Sequence, residues 1–403
     1  MIPLKQQINR LSVDLFPQVR SFRRHLHQHP ELSFEEFETG RFVAAQLQAM
    51  GVAFETGWGN TGVVALIQGN RSDSGQVVAL RADIDALPIQ EANRQLSYAS
   101  QQDGVMHACG HDVHTACLLG AAAILHTLRH SFEGTVKLIF QPAEEKLPGG
   151  ASRLIREGVL QNPTPRSIFG QHVLPELPAG MVGFRPGMYM ASADELYLTV
   201  HGKGGHGAMP HQCVDTVLLA AHIVVALQQV VSRNSHPLVP SVLTFGNIRS
   251  EGGATNIIPD SLRLEGTFRT MDEQWRDTAH QLIRQIAEGV AHSMGGHAVL
   301  DIVKGYPCLE NDASLTLRAR QWAVDFLGAD KVTDLPMRMT SEDFAWYASE
   351  IPACFFRLGS ADPTDGKNAP LHSDKFDVDE SCLVTGMGLI SWLAIMELME
   401  AAP

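Results

Sequence analysis

The sequence predicts an α/β protein, with a mostly parallel central sheet flanked by helices and an inserted ferredoxin-like α+β domain. Three features point that way. Short apolar runs alternate with stretches whose apolar positions recur every three or four residues, as strands joined by helical crossovers do. Titratable residues collect just past the ends of those runs, where sites in open parallel sheets form. Over residues 190–304 the order becomes strand, helix, strand, strand, helix, strand, the split β-α-β pattern.

Residues 5–28 read as an amphipathic helix ending near His29-Pro30, and Phe34–Met50 as a second helix stopped by Gly51. Thr61–Gln68 and Gln76–Leu80 read as strands around a turn at Arg71–Gly75, and Arg81-Ala82-Asp83 follows directly. The stretch Met106–Thr115 holds three histidines, a cysteine and an aspartate. Cys109 and His111 stand two apart, so an extended backbone turns both to one side. From Val113 the spacing is helical, with Asp112 as the expected N-cap. Thr135–Phe140 is a strand running into Gln141-Pro142-Ala143-Glu144-Glu145, and Ser152–Gly158 is helical. Ser167–Gly170 is a short strand running into Gln171-His172. Ala353–Leu358 is another strand, followed by Asn368–Asp374 with His372. Asp83, Glu144, Glu145 and His172 thus each fall just past a strand end, and His372 follows after a longer loop.

The insertion reads as strand Asp194–Gly202, helix Val214–Val231, strands Leu243–Ile248 and Ser261–Phe268, helix Trp275–Met294 and strand Ala298–Lys304. The larger domain is then residues 1–189 with 305–403. Leu383–Met399 is apolar with Glu397 its only charge, contains Gly386, Gly388 and Ser391, and lacks flanking basic residues. It reads as a buried helix rather than a membrane span.

A chain of 403 residues has room for two domains. Lys+Arg 31 against Asp+Glu 44 gives −13, which argues against nucleic acid and anionic membranes as partners. The six cysteines show no framework spacing, and the N-terminus lacks an apolar core of a signal peptide. Free thiols and a cytoplasmic location are expected.

Thiolate, imidazole and carboxylate together suit a late first-row divalent ion: Zn, Mn, Co or Ni. Cys109, His111, Glu145, His172 and His372 make five candidate ligands. That is too many for one catalytic zinc with an open position, and suits two ions sharing a ligand. Consecutive side chains on an extended segment point apart, so one of Glu144 and Glu145 can bind metal while the other acts as general base. No Gly-x-Ser-x-Gly, Gly-x-Gly-x-x-Gly or P-loop pattern supports a serine-hydrolase, dinucleotide or nucleotide site.

The motifs RRHLH at 23–27, LRADIDALP at 80–88, MHACGHDVHTA at 106–116, FQPAEE at 140–145, GQHV at 170–173, GKGGHGAMPH at 202–211, ATNIIPD at 254–260, MTSEDFAWY at 339–347 and LHSDKFDVDE at 371–380 occur in family order. Jointly they resemble the amidohydrolase branch of the dinuclear metallopeptidases related to aminoacylase. That branch holds hippurate hydrolases, N-acyl-amino-acid amidohydrolases and plant auxin-conjugate hydrolases. The resemblance covers nearly the whole chain. It implies two divalent metal ions per subunit, and an inserted domain that covers the site and dimerises. It makes Cys109 the bridging thiolate, His111, Glu145, His172 and His372 the other ligands, and Glu144 the general base. Asp83 matches an orienting aspartate of the wider clan's His-x-Asp motif, but the histidine of that motif is here Arg81, which cannot ligate. His206 matches a lid histidine that reaches the partner subunit's site and stabilises the oxyanion. Asn256 matches a substrate contact, and Arg269 is the candidate cation for a substrate carboxylate. The implied reaction is hydrolysis of an N-acyl amino acid by a homodimer or dimer-based oligomer. The rival readings are a dipeptidase or carboxypeptidase of the same clan, a metal-holding binding protein without catalysis, and a two-metal phosphoesterase.

Overall fold

A computed structural model describes residues 3–70, 75–250, 252–362 and 369–400; positions 71–74 of the expected turn, and Asn368, lie outside them. The chain divides into two units. One is Met1–Gly187 with Glu310–Pro336 and Asp343–Pro403; the other is Met188–Leu309 with Met337–Glu342.

The first unit is built on an eight-stranded sheet. Its order is Ala53–Trp58, Gly62–Gln68, Thr135–Gln141, Val77–Asp83, Ser167–Pro178, Ala353–Ala361, Val182–Phe184, Val332–Asp334. The centre is parallel: Val77–Asp83 pairs with Thr135–Gln141 on one side and Ser167–Pro178 on the other, and the latter pairs with Ala353–Ala361. Antiparallel pairings join Ala53–Trp58 to Gly62–Gln68, Gly62–Gln68 to Thr135–Gln141, and Ala353–Ala361 to Val182–Phe184. Val77–Asp83, Thr135–Gln141 and Ala353–Ala361 are buried at every residue, as strands covered on both faces must be. Helices Leu4–Gln28, His111–Thr127 and Cys382–Met399 pack on one another, and the last two also lie against Val77–Asp83. Among the described residues, Cys382–Met399 is one of two helices long and apolar enough to cross a membrane, but its Leu383, Leu389, Ile390 and Leu393 belong to the core of this unit.

The sequence places several boundaries differently. The second helix begins at Phe37, because Phe34 takes a left-handed backbone with φ 69°. The strand expected to end at Leu80 runs on to Asp83, and the one expected to end at Gly170 runs on to Pro178. Polar side chains end the apolar run that marks a strand in sequence, yet the backbone ladder continues wherever a neighbour offers N–H and C=O groups. Asp83 is therefore the last residue of its strand and His172 lies inside one, rather than beyond the end. The edge strand Ala53–Trp58 and the helix Ala313–Leu327 have no counterpart among the expected elements.

The second unit is a four-stranded antiparallel sheet in the order Ser241–Ser250, Ser261–Thr270, Asp194–His201, His297–Lys304. Leu196, Leu198 and Val200 alternate onto one face and share a core with Leu219 and Ile223 of helix Thr216–Gln229 and Ile283 of helix Glu273–Ser293. Asp215 and Asp272 cap these helices through backbone N–H groups of the first turn. This is the ferredoxin-like topology.

Candidate metal centre

Gly110 decides the local geometry. It caps helix His111–Thr127 with a left-handed φ of 81°, and a Cβ there would lie 2.5 Å from Val173 Cγ2. Only glycine lets this loop approach the strand carrying His172. Cys109 Sγ thereby comes to 3.4 Å from His172 Nε2. Asp112, expected as the cap, lies instead in the first helical turn, because the cap position requires the left-handed backbone that Gly110 supplies. Its buried Oδ2 accepts from Arg23 Nε and His27 Nδ1, both at 2.8 Å.

The candidate donor atoms form two groups that share Cys109. One is Cys109, His111 and His172; the other is Cys109, Glu145 and His372, with the atoms of each group within 4.8 Å of one another. A third group joins His111, Glu144 and Glu145. His372 is carried in by its own backbone, with φ 62° and its N–H donating to Ala108 O at 2.8 Å. Its ring Nε2 stands 3.2 Å from Glu145 Oε1.

Hydrogen bonds fix which ring nitrogen of His111 and of His172 faces the centre. His111 Nδ1 lies 2.9 Å from Asp85 O, and His172 Nδ1 lies 2.8 Å from Val173 O. A carbonyl can only accept, so both Nδ1 atoms carry hydrogen and both Nε2 atoms can present lone pairs. His111 Nε2 is buried without a hydrogen-bond partner. His114 is different: its Nε2 accepts the Val173 N–H at 2.9 Å and its Nδ1 donates to Asp83 Oδ1 at 2.6 Å. Both of its nitrogens are committed, so His114 is a scaffold residue.

The charges describe a place made for a cation. Burial pushes the Cys109 thiol well up, and Glu145 and Glu144 push it further. Burial opposes charge on His111, but Asp83, Asp85 and Glu145 together carry it to about 10. Burial, Arg357 and His114 hold His172 well down, as a neutral ligand needs. An orphaned imidazole nitrogen, a thiol that ionises only beside positive charge, and converging carboxylates fit divalent metal.

Sequence reasoning missed several residues that hold this arrangement. Asp85 Oδ1 lies 3.1 Å from His111 Nδ1, while its Oδ2 accepts from Glu145 N at 3.0 Å and Ser33 Oγ at 2.7 Å. The contact to a candidate ligand expected of Asp83 is thus made by Asp85, two residues on. Asp83 instead holds His114 and Arg81 and stands 3.8 Å from His111 Nε2. A second carboxylate two residues after Asp83 was the available signal. Glu36 Oε1 accepts from Ala143 N at 2.9 Å, one residue before Glu144, where Ala143 takes φ 53°. Burial and Asp85 raise Glu36 to about 7.

In the second unit, Ile257 pairs with His206, and Gly207 N donates to Asn256 O at 2.7 Å, so His206 and Asn256 lie side by side. Ala208 N donates to His206 Nδ1 at 3.0 Å, which leaves the proton of a neutral ring on Nε2 of this exposed residue. Arg269 Nη1 donates to Ser341 Oγ and Met339 O, at 3.3 and 3.4 Å. Among the described residues it has no carboxylate partner.

Comparison with known proteins places this geometry. The family model described as peptidase family M20/M25/M40 matches residues 79–394. An N-acetyl-L-cysteine deacetylase of Bacillus subtilis is 40% identical over 386 residues, 95% of this chain and 89% of the relative. The IAA-amino acid hydrolase ILR1-like 5 of Arabidopsis thaliana is 37% identical, over 96% of this chain and 88% of the relative. The crystal structure of the Bacillus subtilis YXEP protein, described as a dinuclear metal binding peptidase from the M20 family, superposes with a TM-score of 0.81 at 34% identity, covering 96% of this chain and 99% of that one.

Proposed function

The chain belongs to peptidase family M20/M25/M40, and from that premise we propose that it hydrolyses N-acyl amino acids to a carboxylic acid and a free amino acid. It is a dinuclear metal-dependent amidohydrolase. The observation that carries the site assignment is the pair of donor groups sharing Cys109. In this reading Cys109, His111 and His172 would hold one ion, and Cys109, Glu145 and His372 the other. When bound, the ions supply Lewis acidity toward the amide carbonyl and toward water. Mn, Zn, Co and Ni all suit the donor set.

Glu144 takes a proton from the attacking water and returns it to the leaving amine. Its place beside Glu145, with Asp343 N–H 3.4 Å from Oε1, supports that role. His206 donates to the oxyanion through Nε2–H, Asn256 contacts the substrate, and Arg269 binds its carboxylate. The absence of a carboxylate partner for Arg269 among the described residues supports this. Asp83 serves as a positioning residue through His114.

We infer a homodimer. Val217, Leu218 and Val225 expose an apolar stripe on helix Thr216–Gln229, and Ile248 is exposed on the edge strand Ser241–Ser250. A second copy of the chain would cover this surface. The acyl reading and its clan rival separate on one panel: acetyl, benzoyl and indoleacetyl amino acids against free dipeptides, with metal content measured on the same protein. Turnover of acyl conjugates is expected; turnover of dipeptides alone would replace the reading with a dipeptidase.

A further inference from the structure

Arg81 sits at the junction of two hydrogen-bonded arms. It is 1% exposed, and each nitrogen of its guanidinium donates a hydrogen bond. Nη1 donates to Asp83 Oδ2 at 2.6 Å, Nη2 to Asp343 Oδ1 at 2.6 Å, and Nε to Gln141 Oε1 at 2.9 Å. The first arm runs from Asp83 to His114 and on to the backbone N–H of Val173, next to His172. The second arm runs through Asp343. Its Oδ2 accepts from Gln141 Nε2 at 2.8 Å and Ala151 N at 3.0 Å, and its own N–H points at Glu144 Oε1 from 3.4 Å. Gln141 ends the strand from which Glu144 projects three residues later. Glu144 and Asp343 present carboxylate oxygens within 4.8 Å of one another.

We propose that Arg81 and Asp343 form a positioning pair that sets Glu144 against the frame holding His172, so that the orientation of the general base depends on a buried ion pair that touches neither metal nor substrate. The physical reason is geometric. Two like-charged carboxylates so close repel, and Glu144 would swing from Asp343 unless the charge of Asp343 were taken up elsewhere. The planar fork of Arg81 takes it up while also gripping Asp83 and Gln141, which a point charge cannot do at three sites at once. Gln141 and the Ala151 N–H then fix Asp343, and Asp343 fixes the backbone N–H that meets Glu144.

This inference rests on the reading of Glu144 as the base, so Glu144→Gln is measured beside it. Asp343→Asn keeps the shape and the acceptor for Ala151 N, but its amide nitrogen then faces the Arg81 guanidinium donor to donor, so the repulsion is relieved while the backbone N–H that meets Glu144 loses its anchor. The expected result is a fall in kcat of at least tenfold with KM within about twofold and two metals per subunit retained, since the loss is confined to base orientation. Arg81→Lys should show the same split, because lysine keeps the charge and loses the fork. A wild-type kcat in both variants overturns the proposal. So does metal loss in proportion to activity, a rise in KM alone, or failure of both variants to fold, each of which makes the network purely structural. If Glu144→Gln itself retains activity, the base assignment fails instead. If Glu144→Gln is inactive while Asp343→Asn is unimpaired, only the positioning pair fails.

Discussion

At the scale of single residues, the centre separates groups that would touch metal from groups that aim them. Glu144→Gln keeps a similar shape and should keep fold and metal content while lowering kcat about 10³-fold, since base function is lost. Retention of more than a tenth of wild-type kcat at saturating metal would remove Glu144 from that role. Asp85→Asn is expected to weaken metal binding roughly 10- to 100-fold, because Asp85 grips both the His111 ring and the Glu145 backbone. Unchanged affinity in a chelator competition would count against it. The pH dependence has a definite sign. With His111 near 10 and the Cys109 thiol pushed well up, both hold protons at neutral pH, and a metal must displace them. Affinity should rise from pH 6 to 8 by about tenfold per unit for each proton displaced, and fall on acidification. Competition titrations across that range read the slope, and a flat profile contradicts the assignment.

At the scale of elements, helix His111–Thr127 is anchored by charge as well as by apolar packing. Asp112 in its first turn meets Arg23 and His27 from helix Leu4–Gln28, and Arg23 also reaches Asp377 at 2.9 Å. Burial disfavours the Asp112 charge, but Arg23 and His27 overcome it and hold its carboxyl well below the usual range. A depressed folded-state value means the contribution is complete above the unfolded value of about 3.9 and is lost as pH falls below it. Asp112→Asn should cost roughly 3 kcal/mol, the low end for breaking a buried pair because Asp377 remains to Arg23. A thermal midpoint within a degree of wild type would show that the pair contributes little. This anchor was not legible in sequence. Asp112 precedes a helical pattern and has the right side chain for a cap, so local rules assign it there. Gly110 takes the cap because the approach of the loop to Val173 excludes a Cβ, a fact about two segments over sixty positions apart.

At the scale of the whole molecule, the proposed homodimer makes a prediction that neither subunit can satisfy alone. If His206 serves the partner's site, His206→Ala should lower kcat about 10²-fold with metal content unchanged. Mixed with Glu144→Gln under subunit exchange, it should regain activity up to about one intact site per heterodimer, since one composite site then carries both defects and the other neither. Tagged subunits verify that exchange has occurred. Confirmed heterodimers without recovered activity would place His206 in its own subunit's site or in the fold.

The sequence by itself determined the fold class and the family. Periodicity is local, and motifs such as MHACGHDVHTA and FQPAEE keep their residues within a few positions of one another. It also singled out every member of the two Cys109 groups, because each lies in a short, chemically unusual stretch. Only the tertiary structure decided which nitrogen of His111 and of His172 faces the centre, that His114 is committed to Asp83 and Val173, and that Asp85 rather than Asp83 holds His111. It likewise revealed what Arg81 does: in sequence, a residue unable to ligate stands where the motif expects a histidine, while in the fold a buried cation joins Asp83 to Asp343 across 260 positions. Hydrogen-bond partners are set by where strands lie in the sheet, and the order Thr135–Gln141, Val77–Asp83, Ser167–Pro178, Ala353–Ala361 is a long-range pairing that no local pattern of residues encodes.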